Sequence, residues 1–145
     1  MSEKPLVAAE VELTVPFHDV DMLEIAWHGH FSRYFEIARC ALLDKIDYGY
    51  MTMRRTGYVW PIIELHQRFV KPARFGQRIR VLAELTEYEY RMKIKYRVCD
   101  SETGAVLVKG HTLQVAVDAR SGEMCYASPA VFLDKLGVNF EEPTQ

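Results

Sequence analysis

At 145 residues, with 49% apolar and 26% charged residues, the chain has the composition of a globular protein, and residues 1–145 are expected to form one domain. A formal charge of −2 and a pI near 6.2 argue against a dedicated nucleic-acid binder, and the longest apolar runs fall far short of the roughly 20 residues that span a bilayer. The opening MSEKPLVAAEVEL lacks the apolar core of a secretory signal, which implies a cytoplasmic protein. Cys40, Cys99 and Cys125, without a CxxC, imply reduced thiols rather than a disulfide framework or a thiolate zinc site.

Val11, Leu13, Val15 and Phe17 alternate with Glu12, Thr14 and Pro16, the period of a half-buried strand with a proline at its end or on an edge. From Phe31 the period changes. Phe31, Tyr34, Phe35, Ala38, Ala41, Leu42 and Ile46 recur at helical spacing, with Arg33, Glu36 and Arg39 as a narrow polar stripe. Ile37, Cys40 and Leu43 widen the apolar face, so this helix is expected to be mostly buried, with a sheet wrapped round it. Cys40 then reads as a core residue and not a nucleophile. After the connection DYGYMTMRRTGY come four strand-like segments, 59–69, 78–86, 88–99 and 105–117, separated by KPARFGQ and DSETG and closed by DARSGE. Ser128 as N-cap and Pro129 at the first helical position predict a short closing helix to about Leu136, ended by Gly137. The fold class is therefore α+β, with five antiparallel strands around one long central helix.

Between strand and helix lies FHDVDMLEIAWHGHF, with Asp19 and Asp21 two residues apart and His28 and His30 flanking a glycine. This stretch resembles the signature of hotdog-fold acyl-CoA thioesterases of the 4-hydroxybenzoyl-CoA thioesterase type, including the Tol-Pal-associated ones. Asp21 followed by Trp27 and His28, then Phe31 and YFEIAR at the helix start, match that pattern, as do FVKPARFGQRIRV and KGHTLQVAVDARSGE further on. The resemblance runs from about residue 11 to 136. It implies hydrolysis of an acyl-CoA or acyl-carrier-protein thioester without a metal or redox cofactor, in a homodimer or homotetramer.

A thioester needs little acid assistance, because its thiolate leaves readily. It does need a carboxylate that activates water or attacks the carbonyl, and a donor for the developing oxyanion. Asp21 is expected to supply the first. The N-terminus of a helix beginning near His28 has unpaired N–H groups that could supply the second, and the resemblance assigns the donor to the His28 backbone N–H. Trp27, Glu24 and His30 are expected to line the substrate site. Glu24 stands where the family usually has glycine or another small residue. It would narrow the acyl pocket or set a second negative charge beside Asp21. His30 stands where asparagine is usual and could replace it as a donor.

Asp19 reads as structural or solvent-facing. The competing use of His18, Asp19, Asp21, His28 and His30 is a metal site, but on a helix starting at His28 residues two apart point about 200° away from each other. Arg91, Lys93, Lys95 and Arg97 alternate with apolar residues and place four cations on one strand face, suited to the phosphates of coenzyme A or an acidic carrier protein, with Arg91 and Lys93 as the leading substrate-binding pair. Lys71 and Arg74 are weaker candidates for the same role. Tyr48, Tyr50, Met51, Met53 and Tyr58 either cap an acyl pocket or pack at the helix end. Two other functions fit the architecture: a 3-hydroxyacyl-thioester dehydratase pairing His28 with Glu24 or Glu36 across subunits, and a non-catalytic acyl-binding subunit of a lipid or polyketide pathway.

Overall fold

The computed structural model describes residues 4–138, so the first three and last seven residues of the expected domain lie outside it. Strand β1 (Val7–Thr14) is followed by a loop with two 3-10 turns, Phe17–Asp19 and His28–His30, and then by helix α1 (Phe31–Lys45). Helix α2 (Tyr50–Arg55) precedes strands β2 (Tyr58–Val59), β3 (Ile62–Phe69), β4 (Arg78–Glu87), β5 (Met92–Asp100), β6 (Val106–Gln114) and β7 (Val117–Asp118), and helix α3 (Ala130–Leu136) closes the order.

Five strands form one antiparallel sheet in the order β1-β4-β5-β6-β3, and β2 pairs with β7 in a separate two-stranded ribbon. The expected strand over 59–69 is thus broken at Trp60 and Pro61, because proline cannot donate to a ladder, and 105–117 is broken at 115–116. Its first strand begins four residues earlier than the alternation suggested and ends before Pro16. Residues 88–91 form the β4–β5 turn instead of starting a strand.

Helix α1 lies on the sheet face that carries Ile79, Val81, Ile94, Tyr96 and Val98, and buries Phe31, Tyr34, Phe35, Ala38, Leu42 and Leu43. Phe35 stacks on Tyr96 with ring centroids 4.3 Å apart. Gly110 permits this contact, since a Cβ there would lie 2.7 Å from the Phe35 ring and 2.3 Å from the His66 carbonyl oxygen. The sheet covers only one side of the helix. Ile37 is 44% exposed and Cys40 is also exposed, which corrects the expectation of a mostly buried helix with Cys40 as a core residue. At the far end Ser128 makes no cap. Pro129 holds the N-cap position of α3, and Gly137 ends it in the left-handed region, as the sequence indicated.

Candidate active site

The loop between β1 and α1 splits into a packed half and an open half. Its 3-10 turn at Phe17–Asp19 drives the Asp19 carboxylate inward, where it is 1% exposed. Oδ2 accepts hydrogen bonds from the Arg33 guanidinium and, at 2.6 Å, from the Tyr34 hydroxyl, both on the first turn of α1. The Asp19 carbonyl also accepts the Trp27 N–H at 3.0 Å, so one residue ties strand end, loop and helix together. Burial pushes the Asp19 carboxyl up, but the Tyr34 and Arg33 hydrogen bonds outweigh it and hold the group below the ordinary carboxylate value. Tyr34 is pushed far up by its burial and by the same carboxylate. Of the two roles open to Asp19, structural or solvent-facing, the geometry selects the structural one.

Two residues on, Asp21 is exposed. Its Oδ1 accepts the Leu23 N–H at 2.8 Å and the Ile25 N–H at 3.4 Å, an Asx turn, while Oδ2 accepts no hydrogen bond from the described residues. Glu24 closes this turn at φ 61°, in the left-handed region, which gives a physical reason for glycine at that position. The Ala26 N–H then bonds the Ala73 carbonyl at 2.7 Å, and Trp27 and His28 follow in extended conformation and a 3-10 turn.

The α-helix itself starts at Phe31, three residues later than expected, with His28–His30 as a tighter entry turn. Trp27 folds back over this turn, with its ring 5.0 Å from His28 and 5.4 Å from His30. Gly29 makes room for the indole, because a Cβ there would come within 2.3 Å of it. The His28 N–H finds no acceptor among the described residues. The His28 ring turns towards Phe69, at 6.0 Å, whereas His30 Nδ1 turns inward, 3.9 Å from Asp19 Oδ1. That Oδ1 is buried without a hydrogen-bond partner among the described residues, with His18 Nε2 3.6 Å away. Among the described residues no group of three or more His, Cys, Asp or Glu side chains could hold a metal ion.

A cavity of about 310 Å³ opens between this loop and the end of β3. Asp21, Trp27 and His28 line it together with Phe31, Phe69 and Lys71. Of the predicted site residues, Glu24 and His30 stand outside its wall, and so do Arg91 and Lys93, both of which face Glu87 at 3.2 and 3.7 Å. Phe69 and its neighbours Val70 and Pro72 were not identified from sequence. FVKP reads there as a strand end and turn, and only the β6–β3 pairing carries it to the helix N-terminus.

A second cavity, of about 470 Å³, lies along the other end of α1, lined by Leu43, Tyr50, Met53, Tyr58 and Trp60, with Gln114. Tyr48 is fully buried beside it, its hydroxyl accepting the Trp60 indole N–H at 2.9 Å, while Met51 points into solvent. The Gln114 amide N–H₂ bonds the Trp60 carbonyl at 2.8 Å. The tyrosine and methionine cluster therefore serves both readings: Tyr48 packs, and Tyr50, Met53 and Tyr58 line a cavity.

A family model described as the thioesterase-like superfamily matches residues 15–136. The chain belongs to that superfamily. A Synechocystis protein provisionally named an esterase is 26% identical over 128 residues, covering 88% of this chain and 77% of that one. Among solved structures, a 1,4-dihydroxy-2-naphthoyl-CoA thioesterase from Synechocystis superposes with a TM-score of 0.80 at 17% identity, covering 90% of this chain and 96% of the other. A DHNA-CoA thioesterase from Staphylococcus aureus gives 0.75 at 20%, covering 82% and 80%. These likenesses bear out the hotdog fold, and membership of the superfamily makes the chain a thioester hydrolase.

Proposed function

We propose that this hydrolase cleaves an acyl-CoA or acyl-carrier-protein thioester in the cavity at the start of α1. The observation that carries the reading is the meeting, in one cavity, of a carboxylate with an uncommitted oxygen, Asp21 Oδ2, and an uncommitted backbone donor, the His28 N–H at a helix entrance. Asp21 acts as general base on water or as nucleophile. The thioester carbonyl accepts the His28 N–H, whose partial positive charge grows in value as the oxygen becomes an oxyanion. The carbon–sulfur bond then breaks and the thiolate leaves; with Asp21 as base the added water gives the free acid directly, and with Asp21 as nucleophile the acyl group stays on its carboxylate as an anhydride until water releases it as the free acid. Trp27, Phe31 and Phe69 give the acyl group apolar walls, consistent with the aromatic acyl-CoA substrates named for the two structural neighbours. Glu24 and His30 act from the rim, outside the cavity wall.

The dehydratase alternative needs His28 to meet Glu24 or Glu36 of a second subunit; within one subunit neither glutamate lines the cavity with His28, and Glu36 is paired with Arg39 at 2.9 Å beside the second cavity. A homodimer or homotetramer in the cytoplasm completes the reading, with residues 1–145 acting as one domain. The supporting feature is β3, an edge strand without a described neighbour on one side, whose Ile62, Ile63, Leu65 and Phe69 are exposed. The test is hydrolysis of a short acyl-CoA panel, straight-chain and aromatic, with the best acyl group repeated on carrier protein. Turnover with free acid as product supports the proposal. Ligand retention without turnover would make the chain a binding subunit, and turnover only of 3-hydroxyacyl forms would make it a dehydratase.

A further inference from the structure

The sheet face turned away from α1 has its charges sorted. On the β1–β4 side each described arginine meets a carboxylate: Arg78 pairs with Glu12, and Arg80 lies 4.0 Å from Glu10. At the β4–β5 turn Arg91 and Lys93 share Glu87. On the β5–β6–β3 side the register does the opposite. Arg97 stands directly across from Lys109, and Lys109 directly across from Arg68, so three cations form a row over three neighbouring strands. All three are exposed, and none has an ion-pair partner among the described residues. With strands about 4.8 Å apart, the row is roughly 10 Å long. Like charges directly opposite each other destabilise a sheet, and here two such pairs adjoin.

The next row is less one-sided, since the Glu64 carboxylate lies 3.5 Å from His111 Nε2. His66 stacks on His111 with centroids 5.3 Å apart, and Lys95 stands across from His111. Together these side chains wall a groove of about 300 Å³ in which Glu84, across from Lys95, is the one carboxylate. A protein with a net charge of −2 thus concentrates four lysine and arginine charges and two imidazoles in one concavity. Arg68 precedes Phe69, which lines the Asp21 cavity from the opposite face of the sheet, so groove and cavity lie back to back across the end of the edge strand β3.

We propose that this groove binds a small ligand with clustered phosphate groups, the nucleotide end of a thioester carrier. Guanidinium and ammonium groups at strand spacing match several phosphate oxygens at once, and the bound anion removes the repulsion along the row. The phosphate site stands on the groove alone, whereas its assignment to a thioester carrier rests on the hydrolase reading given above. Relative to the four-cation ridge expected on one strand, the site moves across the sheet. Lys95 and Arg97 belong to it with Arg68 and Lys109 of the neighbouring strands.

Isothermal titration with adenosine 3′,5′-bisphosphate and with inorganic pyrophosphate, on the wild type and on the R97Q/K109Q and R78Q variants, tests this. Losing two charge-assisted contacts should weaken bisphosphate binding by about tenfold or more in R97Q/K109Q and flatten its salt dependence, with R78Q close to the wild type. In parallel, R97Q/K109Q should raise KM for an acyl-CoA by about tenfold and move KM for the same acyl group on N-acetylcysteamine, which lacks phosphate, by less than about twofold. Unchanged bisphosphate affinity in R97Q/K109Q, with its fold verified by circular dichroism, overturns the site. Lost binding with an unchanged acyl-CoA KM, or pyrophosphate bound as tightly as the bisphosphate, overturns the nucleotide carrier. A chain that hydrolyses no thioester but loses bisphosphate binding in R97Q/K109Q upholds the phosphate site while the hydrolase reading fails.

Discussion

Asp19 and Asp21 belong to the same loop, carry the same side chain and sit two residues apart, yet the fold treats them in opposite ways. Asp19 is spent on structure: it is buried, its Oδ2 is claimed by Arg33 and Tyr34, and its carbonyl anchors Trp27. Asp21 is spared. Its backbone neighbours hold Oδ1, Oδ2 accepts no hydrogen bond from the described residues, and the residue lines a cavity together with His28. The rigid half positions the open half, and a carboxylate can serve chemistry only if another carries the load of the loop.

Breaking the packed half should have the largest effect on stability. Asp19→Ala leaves the Tyr34 hydroxyl buried without an acceptor and Arg33 without its counterion, a loss of about 3 kcal/mol, kept below that of a fully buried pair because Arg33 is half exposed. Thermal unfolding should show it as a fall in Tm of roughly 6–12 °C. The same site sets an acid dependence. Because the folded-state pKa of Asp19 lies below its unfolded value of about 3.9, its contribution is complete above that pH and is lost as pH falls towards and through the folded value. The stability gap between wild type and Asp19→Asn, measured by urea denaturation from pH 7 to 2.5, should therefore close below about pH 4.

Tyr34→Phe removes one of the two donors while keeping the ring in place, and about 1–2 kcal/mol should be lost in the same denaturation series. The open half should respond with the opposite sign. Glu24 holds a left-handed conformation that glycine adopts without strain, so Glu24→Gly should raise stability by about 0.5–1 kcal/mol, the entropy of the unfolded chain taking back part of the relief. A destabilised Glu24→Gly protein would mean that the glutamate side chain makes a contact that holds the turn.

The alternation in β1, the helical period from Phe31 and the turns around β4, β5 and β6 were legible because each element has one buried face of sufficient length. Helix α2 was not, since six residues between a glycine and a positive-φ glycine carry too little periodicity to stand out from a loop. Nor could composition distinguish a helix covered on all sides from one left bare at Ile37 and Cys40, because apolar residues mark both. Within the loop, Asp21, Trp27 and His28 stood out only through the resemblance to the thioesterase signature, since an aspartate before a turn reads equally well as an Asx turn. The burial of Asp19 was not, as its partner Tyr34 is 15 residues away and meets it only through the 3-10 turn. The cationic row was half visible: Arg97 lies in the alternating strand, but Arg68 and Lys109 join it only through register.

The division of labour between the two aspartates is tested most directly by the steady-state hydrolysis of one good acyl-CoA substrate by Asp21→Asn, with Tm measured on the same sample. The amide keeps the Asx turn and removes the basic oxygen, so kcat should fall on the order of a hundredfold or more while Tm stays within about 2 °C of the wild type. An Asp21→Asn enzyme that turns over at the wild-type rate, or one that loses activity only because it has unfolded, would contradict the assignment of the catalytic carboxylate.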